Sequence, residues 1–151
     1  METLALQGDV MLGRLVNDAL GRAPPEYPWG DMLGVLGGAD WRCCNLECSS
    51  QTWSWRGCRA GLSTSGRNAG NVAALQAPGI DMVSNANNHS LDFGHEAMLD
   101  MLTQLDGPGI AHAGAGADRA TARRPALVND ELARLHRGMV SWKGRTFEGF
   151  S

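Results

Sequence analysis

Short apolar segments alternate with amphipathic ones along most of the chain. The clearest helical pattern lies just before Gly107. There Met98, Met101, Leu102 and Leu105 recur at the spacing of one helix face. Asp92 is the predicted N-cap of this helix. Apolar runs closed by Gly, Pro or Asn predict strands at 3–7, 41–46, 80–84, 110–113 and 125–128. Further helices are predicted at 10–20, 31–36, 68–77 and 118–123.

The order of these segments is strand, helix, strand, helix through most of the chain. Such an alternation predicts an α/β fold with a largely parallel sheet. Two stretches lack a clear period. Residues 49–67 read as an atypical, insert-like segment, and residues 129–151 as a divergent tail. We therefore expect one domain over residues 1–128.

Composition narrows the class of protein. Of the 151 residues, 43% are apolar and 19% are charged, which is typical of a chain that buries a core. The net charge of −3 argues against a nucleic-acid partner, so Trp53 and Trp55 with their neighbouring arginines, Arg56 and Arg59, are read as loop residues. No apolar run approaches the ~20 residues of a membrane span, and the N-terminus has no basic region before its apolar residues. We therefore expect a cytoplasmic protein without a membrane segment.

All four cysteines lie between positions 43 and 58. Their spacing does not form the paired C-x-x-C knuckles of a zinc site. Cys43 and Cys44 stand in an apolar run, where thiols pack as small hydrophobic groups. The cysteines are therefore interpreted as incidental thiols.

Polar side chains cluster after the predicted strands. Asp9 follows the first, Asn45 and Glu47 stand at the end of the second, and Asn88 and His89 follow the third. In a parallel sheet these strand ends meet at one edge, where chemistry gathers. Oxygen ligands with an imidazole suit Mn²⁺, Mg²⁺, Fe or Zn²⁺, and His89 would serve as general acid. The alternative is structural: such residues also cap helices and stabilise turns.

Four segments at these places carry a resemblance to a known family. They are GDVMLGR at 8–14, NLEC at 45–48, ANNHSLDFG at 86–94 and GAG at 114–116. In order and spacing they resemble the CapA-type capsule-synthesis proteins, the bacterial poly-γ-glutamate biosynthesis family of the calcineurin-like metallophosphoesterase superfamily. The resemblance extends over about residues 3–128, the N-terminal half of that family's domain.

The resemblance implies a partial four-layer α/β/β/α sandwich with a metal site at the strand ends. By similarity, Asp9 would bind a first metal, Glu47 would take the bridging position and Asn88 would bind a second metal. His89 would be the catalytic acid or base. Asn45, Asn87 and Asp92 would support the site. The implied substrate is a small molecule or a polyglutamate-like chain, whose phosphoester or acyl/peptide bond would be attacked.

A departure from the family keeps other hypotheses open. The superfamily completes its site with a Gly-His-x-His element, whereas His112 and His136 stand in other contexts here. A truncated, catalytically inactive copy that binds at most a metal or a partner is therefore the second hypothesis. Half a sandwich would leave a sheet uncovered and promote self-association.

A third hypothesis is a plain α/β ligand-binding domain without metal. The segment GAG at 114–116 resembles the start of a dinucleotide fingerprint, but Arg119 occupies the position of the third glycine. The arginines of that region, Arg119, Arg123 and Arg124, are interpreted as a solvated face that can meet an anionic polymer.

Overall fold

Four parallel strands form the sheet at the centre of the fold. The computed structural model describes residues 2–13, 16, 19–47 and 67–126, with the backbone alone for 67–70. The strands are β1 (Leu4–Met11), β2 (Trp41–Glu47), β3 (Met82–Ser84) and β4 (Ala111–Ala113). They lie side by side in the order β1-β2-β3-β4, and all three pairings are parallel. The predicted α/β class with a parallel sheet is confirmed. The second sheet of a four-layer sandwich stays a prediction.

Helices precede the second, third and fourth strands. They are α1 (Met32–Gly37), α2 (Arg67–Gln76) and α3 (Gly94–Asp106), and a short α4 (Arg119–Ala122) follows β4. Each lies where the sequence pattern predicts a helix. Helical connections are what neighbouring parallel strands require, because the chain must return to the same end of the sheet. No helix among the described residues is long and apolar enough to cross a bilayer.

The larger core packs helices α2 and α3 against one face of the sheet. Leu75 of α2 and Leu105 of α3 are fully buried there, together with Val83 of β3. All four apolar residues of the predicted α3 stripe are buried, so the helical period of that segment is confirmed. The opposite face carries a smaller cluster built around Cys43 and Met82. Residues of β2 alternate between the two clusters, as the period of a strand demands.

A bulge in β1 decides which side chains share a face at the end of the sheet. Leu6 is paired with Cys43 of β2, but three residues later Asp9 is paired with Asn45. One additional residue is therefore accommodated in β1 around Gly8. In an unbroken register Asp9 would lie opposite Leu46, whose side chain belongs to the large core. The bulge places Asp9 instead beside Asn45.

Arg42 holds the opposite, amino-terminal edge of the sheet. Its guanidinium donates to the carbonyl oxygens of Leu36 and Ala39 at 2.7 Å, at the end of α1 and just beyond it. Nη1 also lies 3.6 Å from a carboxylate oxygen of Asp81. This part-buried group closes the turn between α1 and β2, so its charge is used structurally.

Several sequence predictions need correction. The first strand does not stop at Gln7 but continues to Met11, so Val10 and Met11 belong to a strand and not to a helix. Asp9 therefore lies within β1 and Glu47 within β2, where the sequence placed both after strands, while Asn45 lies within β2 as predicted. Pro125 and Ala126 have no regular secondary structure.

Some predictions lie outside the described residues. These are most of the insert-like segment at 49–67, the tail at 129–151, and the last two residues of the strand predicted at 125–128. The same holds for two of the cysteines, Cys48 and Cys58, and for the tryptophans and arginines at 53–59.

Candidate functional site

Two carboxylates and an amide meet at the carboxyl ends of β1 and β2. Asn45 is 7% exposed, and its Nδ2 donates to Oδ1 of Asp9 at 2.8 Å. The same nitrogen lies 3.5 Å from Oε1 of Glu47. Asp9 is exposed and Glu47 is half-buried. The amide therefore joins the two acidic residues across neighbouring strands, and the predicted convergence of these three residues is confirmed.

Asn87 connects the loop after β3 to the same group. Its Nδ2 donates to Oδ1 of Asn45 at 3.1 Å and to the carbonyl oxygen of Leu46 at 2.9 Å. Its Oδ1 in turn accepts from the backbone N–H of His89 at 3.0 Å. One half-buried amide thus holds the loop against β2, because both ends of its side chain are engaged.

His89 lies on this loop and is oriented by a carboxylate. Its Nδ1 is 2.8 Å from Oδ2 of Asp92, and both side chains are about 30% exposed. A carboxylate at Nδ1 favours the proton on that nitrogen and leaves Nε2 available as an acceptor. The prediction of Asp92 as a helix N-cap is wrong. Phe93 is the residue before α3 and Asp92 binds the histidine instead, which agrees with the supporting role that the resemblance implies.

Asn88 and Ser90 complete the loop. Asn88 is exposed and lines an open cleft beside the site. The hydroxyl of Ser90 donates to the carbonyl oxygen of Asn85 and lies 3.1 Å from Oδ1 of Asn87. Sequence reasoning missed Ser90 and Asn85. The signal was their place in the same polar run, since buried polar groups of a loop usually have a hydrogen-bond partner.

The GAG segment serves this loop through close backbone approach. Gly114 has φ +96°, and a Cβ at this position would lie 2.5 Å from the Cβ of Ala86. A Cβ on Gly116 would lie 2.6 Å from the backbone nitrogen of Ala122. Both positions therefore require glycine. Gly114 lies against the loop after β3, and Gly116 lies against α4. This explains the motif without a dinucleotide.

The donor set at the strand ends has the chemistry of a hard-cation site. Asp9 and Glu47 supply carboxylate oxygens, and Asn88 lies one residue from the amide that holds the loop against β2. Oxygen ligands of this kind suit Mg²⁺ or Mn²⁺, with water filling the remaining positions. Within the described residues, no group of three His, Cys, Asp or Glu side chains lies close enough to hold a metal ion. Among the residues that the structure describes, asparagine and water would therefore have to complete the coordination of a cation.

Cys43 and Cys44 lie in the sheet beneath the site and contribute packing. Both are free thiols and buried. Burial raises the pKa of Cys43 to about 11, with a smaller contribution from the charge of Asp81. Burial raises the pKa of Cys44 to about 12. Their interpretation as small hydrophobic residues is confirmed, since Cys44 packs in the larger core and Cys43 in the smaller cluster.

Comparison with known proteins gives the family. Over 159 aligned residues the chain is 34% identical to a "Probable polyglutamine synthesis accessory protein" of Mycobacterium tuberculosis strain CDC 1551, and equally to one of strain H37Rv. These alignments cover 83% of this chain and 42% of each relative, so the chain spans less than half of their length. An uncharacterised protein of Sinorhizobium fredii is 43% identical over 61 residues, 40% of this chain and 13% of that protein.

The family description agrees with the resemblance that the sequence motifs carry. A family model described as "Bacterial capsule synthesis protein PGA_cap" matches residues 3–147. That range contains Asp9, Glu47, Asn88 and His89 together with the supporting residues of the site. The chain therefore belongs to the PGA_cap family of bacterial capsule synthesis proteins.

Proposed function

We propose that this chain acts as an accessory protein in bacterial capsule or poly-γ-glutamate synthesis, through a divalent-metal site of metallophosphoesterase type. The family and the relatives named for polyglutamine synthesis support the biological role. The hydrogen-bonded network at the strand ends carries the chemical part of the proposal. It connects the carboxylates of Asp9 and Glu47 through Asn45 and Asn87 to the His89 loop.

Each residue of the network has a role in the proposal. Asp9, Glu47 and Asn88 would hold the cation, whose chemistry would be to polarise a phosphoryl or acyl oxygen of the substrate and to lower the pKa of bound water. Asn45 keeps the two carboxylates together on the sheet edge. Asp92 orients His89, whose Nε2 exchanges a proton with the substrate or leaving group. Hydrolysis of a phosphoester or of an acyl/peptide bond is the reaction class.

Metal binding is tested first, on the full chain. We expect Mn²⁺ and Mg²⁺ to raise the melting temperature, because a ligand that binds only the native state stabilises it. Asp9→Asn and Asn88→Ala remove proposed ligands and should abolish the shift. Asp100→Asn is the matched control, since it removes one exposed acidic charge from α3, away from the site. An unchanged melting temperature with either metal, or equal shifts in all variants, would contradict the proposal.

An assay for substrate turnover distinguishes a metal-dependent hydrolase from a protein that only binds metal or a partner. The substrates are p-nitrophenyl phosphate and a γ-linked hexaglutamate, each with saturating Mn²⁺. A metal-dependent reaction that His89→Gln removes would support the hydrolase. Metal binding without turnover of either substrate would support the second candidate, a catalytically inactive member that binds metal or a partner. That candidate is favoured by one observation: the described residues bring no three His, Cys, Asp or Glu side chains together around a cation.

A further inference from the structure

A cavity of about 490 Å³ lies between the second half of α3, strand β4 and the residues around α4. We call it the α3–α4 cavity. None of the residues assigned above to the metal site or to its support lines it. Its volume is within the range of small-molecule sites, about 300 to 1,000 Å³. The chemistry of its walls therefore indicates which class of small molecule fits.

The walls of the α3–α4 cavity are mainly hydrocarbon. The apolar lining consists of Leu99, Leu102, Ala115, Ala117 and Pro125. Two threonines also line the cavity, but their hydroxyls are engaged. The hydroxyl of Thr103 donates to the carbonyl oxygen of Leu99 at 3.0 Å, and that of Thr121 donates to a carboxylate oxygen of Asp118 at 2.8 Å. A sugar, which needs a partner for each of its hydroxyls, is therefore poorly served, and the body of a matching ligand is apolar.

Two exposed side chains of opposite charge also line the cavity. Asp106 is the last residue of α3, and its Oδ1 lies 3.0 Å from Nε2 of His112. The side chain of Asp106 is 70% exposed, and its second carboxylate oxygen forms no hydrogen bond with any residue that the structure describes. Arg124 is exposed, and within the described part of the chain its guanidinium forms no ion pair. A ligand that carries both charges therefore finds a partner for each of them.

We propose that the α3–α4 cavity binds a free amino acid with an apolar side chain, represented by leucine. Arg124 binds the carboxylate, Asp106 binds the ammonium group, and the apolar lining covers the side chain. A purely anionic ligand is disfavoured, because its charge would lie near the carboxylate of Asp106. The inference does not rest on the proposed function, since the cavity uses none of the metal-site residues.

The test is calorimetric titration of the full chain with L-leucine, without added metal. Arg124→Gln should raise Kd at least about tenfold, the size expected for a lost charge-assisted hydrogen bond. Arg123→Gln is the matched control, because Arg123 is exposed and does not line the cavity. Its Kd should stay within about twofold of the parent value, as expected for a surface substitution away from the site. Thermal unfolding verifies that both variants fold.

The second charge has its own pair of variants. Asp106→Asn should also raise Kd at least about tenfold, because the amide has no charge to offer the ammonium group. Its remaining carbonyl oxygen can still accept from His112, so the contact between α3 and β4 is preserved. Asp100→Asn is the control, since Asp100 is an exposed acidic residue of the same helix that does not line the cavity.

Changes to the ligand test the same contacts without a variant. Leucinamide lacks the carboxylate and N-acetyl-leucine lacks the ammonium group, so each should bind at least about tenfold more weakly than leucine. L-alanine should lose as much, because it buries far less apolar surface. Equal affinity for leucine and alanine, or equal losses in Arg124→Gln and Arg123→Gln, overturns the proposal. A Kd for leucine above about 10 mM overturns it as well.

Discussion

The amide of Asn87 holds the loop after β3 in place, and its removal should be costly. The side chain donates to Asn45 and to the carbonyl oxygen of Leu46, and accepts from the N–H of His89, all within 2.9 to 3.1 Å. A net value of about 1 kcal/mol for each hydrogen bond gives about 3 kcal/mol for the three bonds. Water can replace part of this at a half-buried position, so we expect Asn87→Ala to cost about 2 to 3 kcal/mol.

Urea unfolding of the full chain, followed by circular dichroism, measures this cost. Asn88→Ala is the matched control, since it truncates the same residue type one position along the loop where the side chain is exposed. We expect it to cost less than about 1 kcal/mol and to act on Mn²⁺ binding instead. The two variants therefore separate support of the loop from metal binding. A loss below about 1 kcal/mol in Asn87→Ala, or equal losses in both variants, would refute this assignment.

Two further predictions test packing beneath and beside the site. Gly114→Ala should lower stability by more than about 2 kcal/mol in urea unfolding, because its Cβ would meet Ala86 at 2.5 Å and φ is +96°. The matched Gly34→Ala, which has nothing within 4 Å on α1, should leave stability equal or higher. With a pKa of about 11, only about one in a thousand Cys43 thiols is ionised at pH 8, and the ionised fraction of Cys44 is smaller still. Peptide mapping after iodoacetamide treatment should therefore find both cysteines unmodified until urea is added. Rapid labelling of the native chain at these positions would contradict their burial.

Much of the fold could be predicted from the sequence because its local signals are strong. The α3 stripe of Met98, Met101, Leu102 and Leu105 predicts a helix with one buried face, and that face packs on the sheet. Strand β2 contains Trp41, Cys43, Cys44 and Leu46, and its consecutive buried residues are typical of a strand covered on both sides. The capping-box residue Asp118 begins α4 at the predicted position. These elements depend on period and capping, which are properties of adjacent residues.

The role of Asp92 could not be read from the same local signals. An aspartate just before an amphipathic helix is a common N-cap, so the sequence predicts that role for Asp92. In the structure its carboxylate lies 2.8 Å from Nδ1 of His89, three residues earlier. The buried position of Asn85 was missed for a similar reason. Its neighbours Met101 and Ala113 come from other elements, so only the folded chain brings them into contact.

The bulge in β1 could not be predicted from the strand propensities of its residues. The sequence predicts the end of a strand at Gly8, because glycine interrupts apolar runs and weakens strands. In the structure the strand continues through Gly8 to Met11, with one additional residue between Leu6 and Asp9. An additional residue inverts the faces of all positions beyond it, since side chains alternate along a strand. Asp9 thereby leaves the apolar face of Leu46 and meets Asn45. The additional residue of β1 is therefore what brings the two carboxylates of the candidate metal site to one face of the sheet.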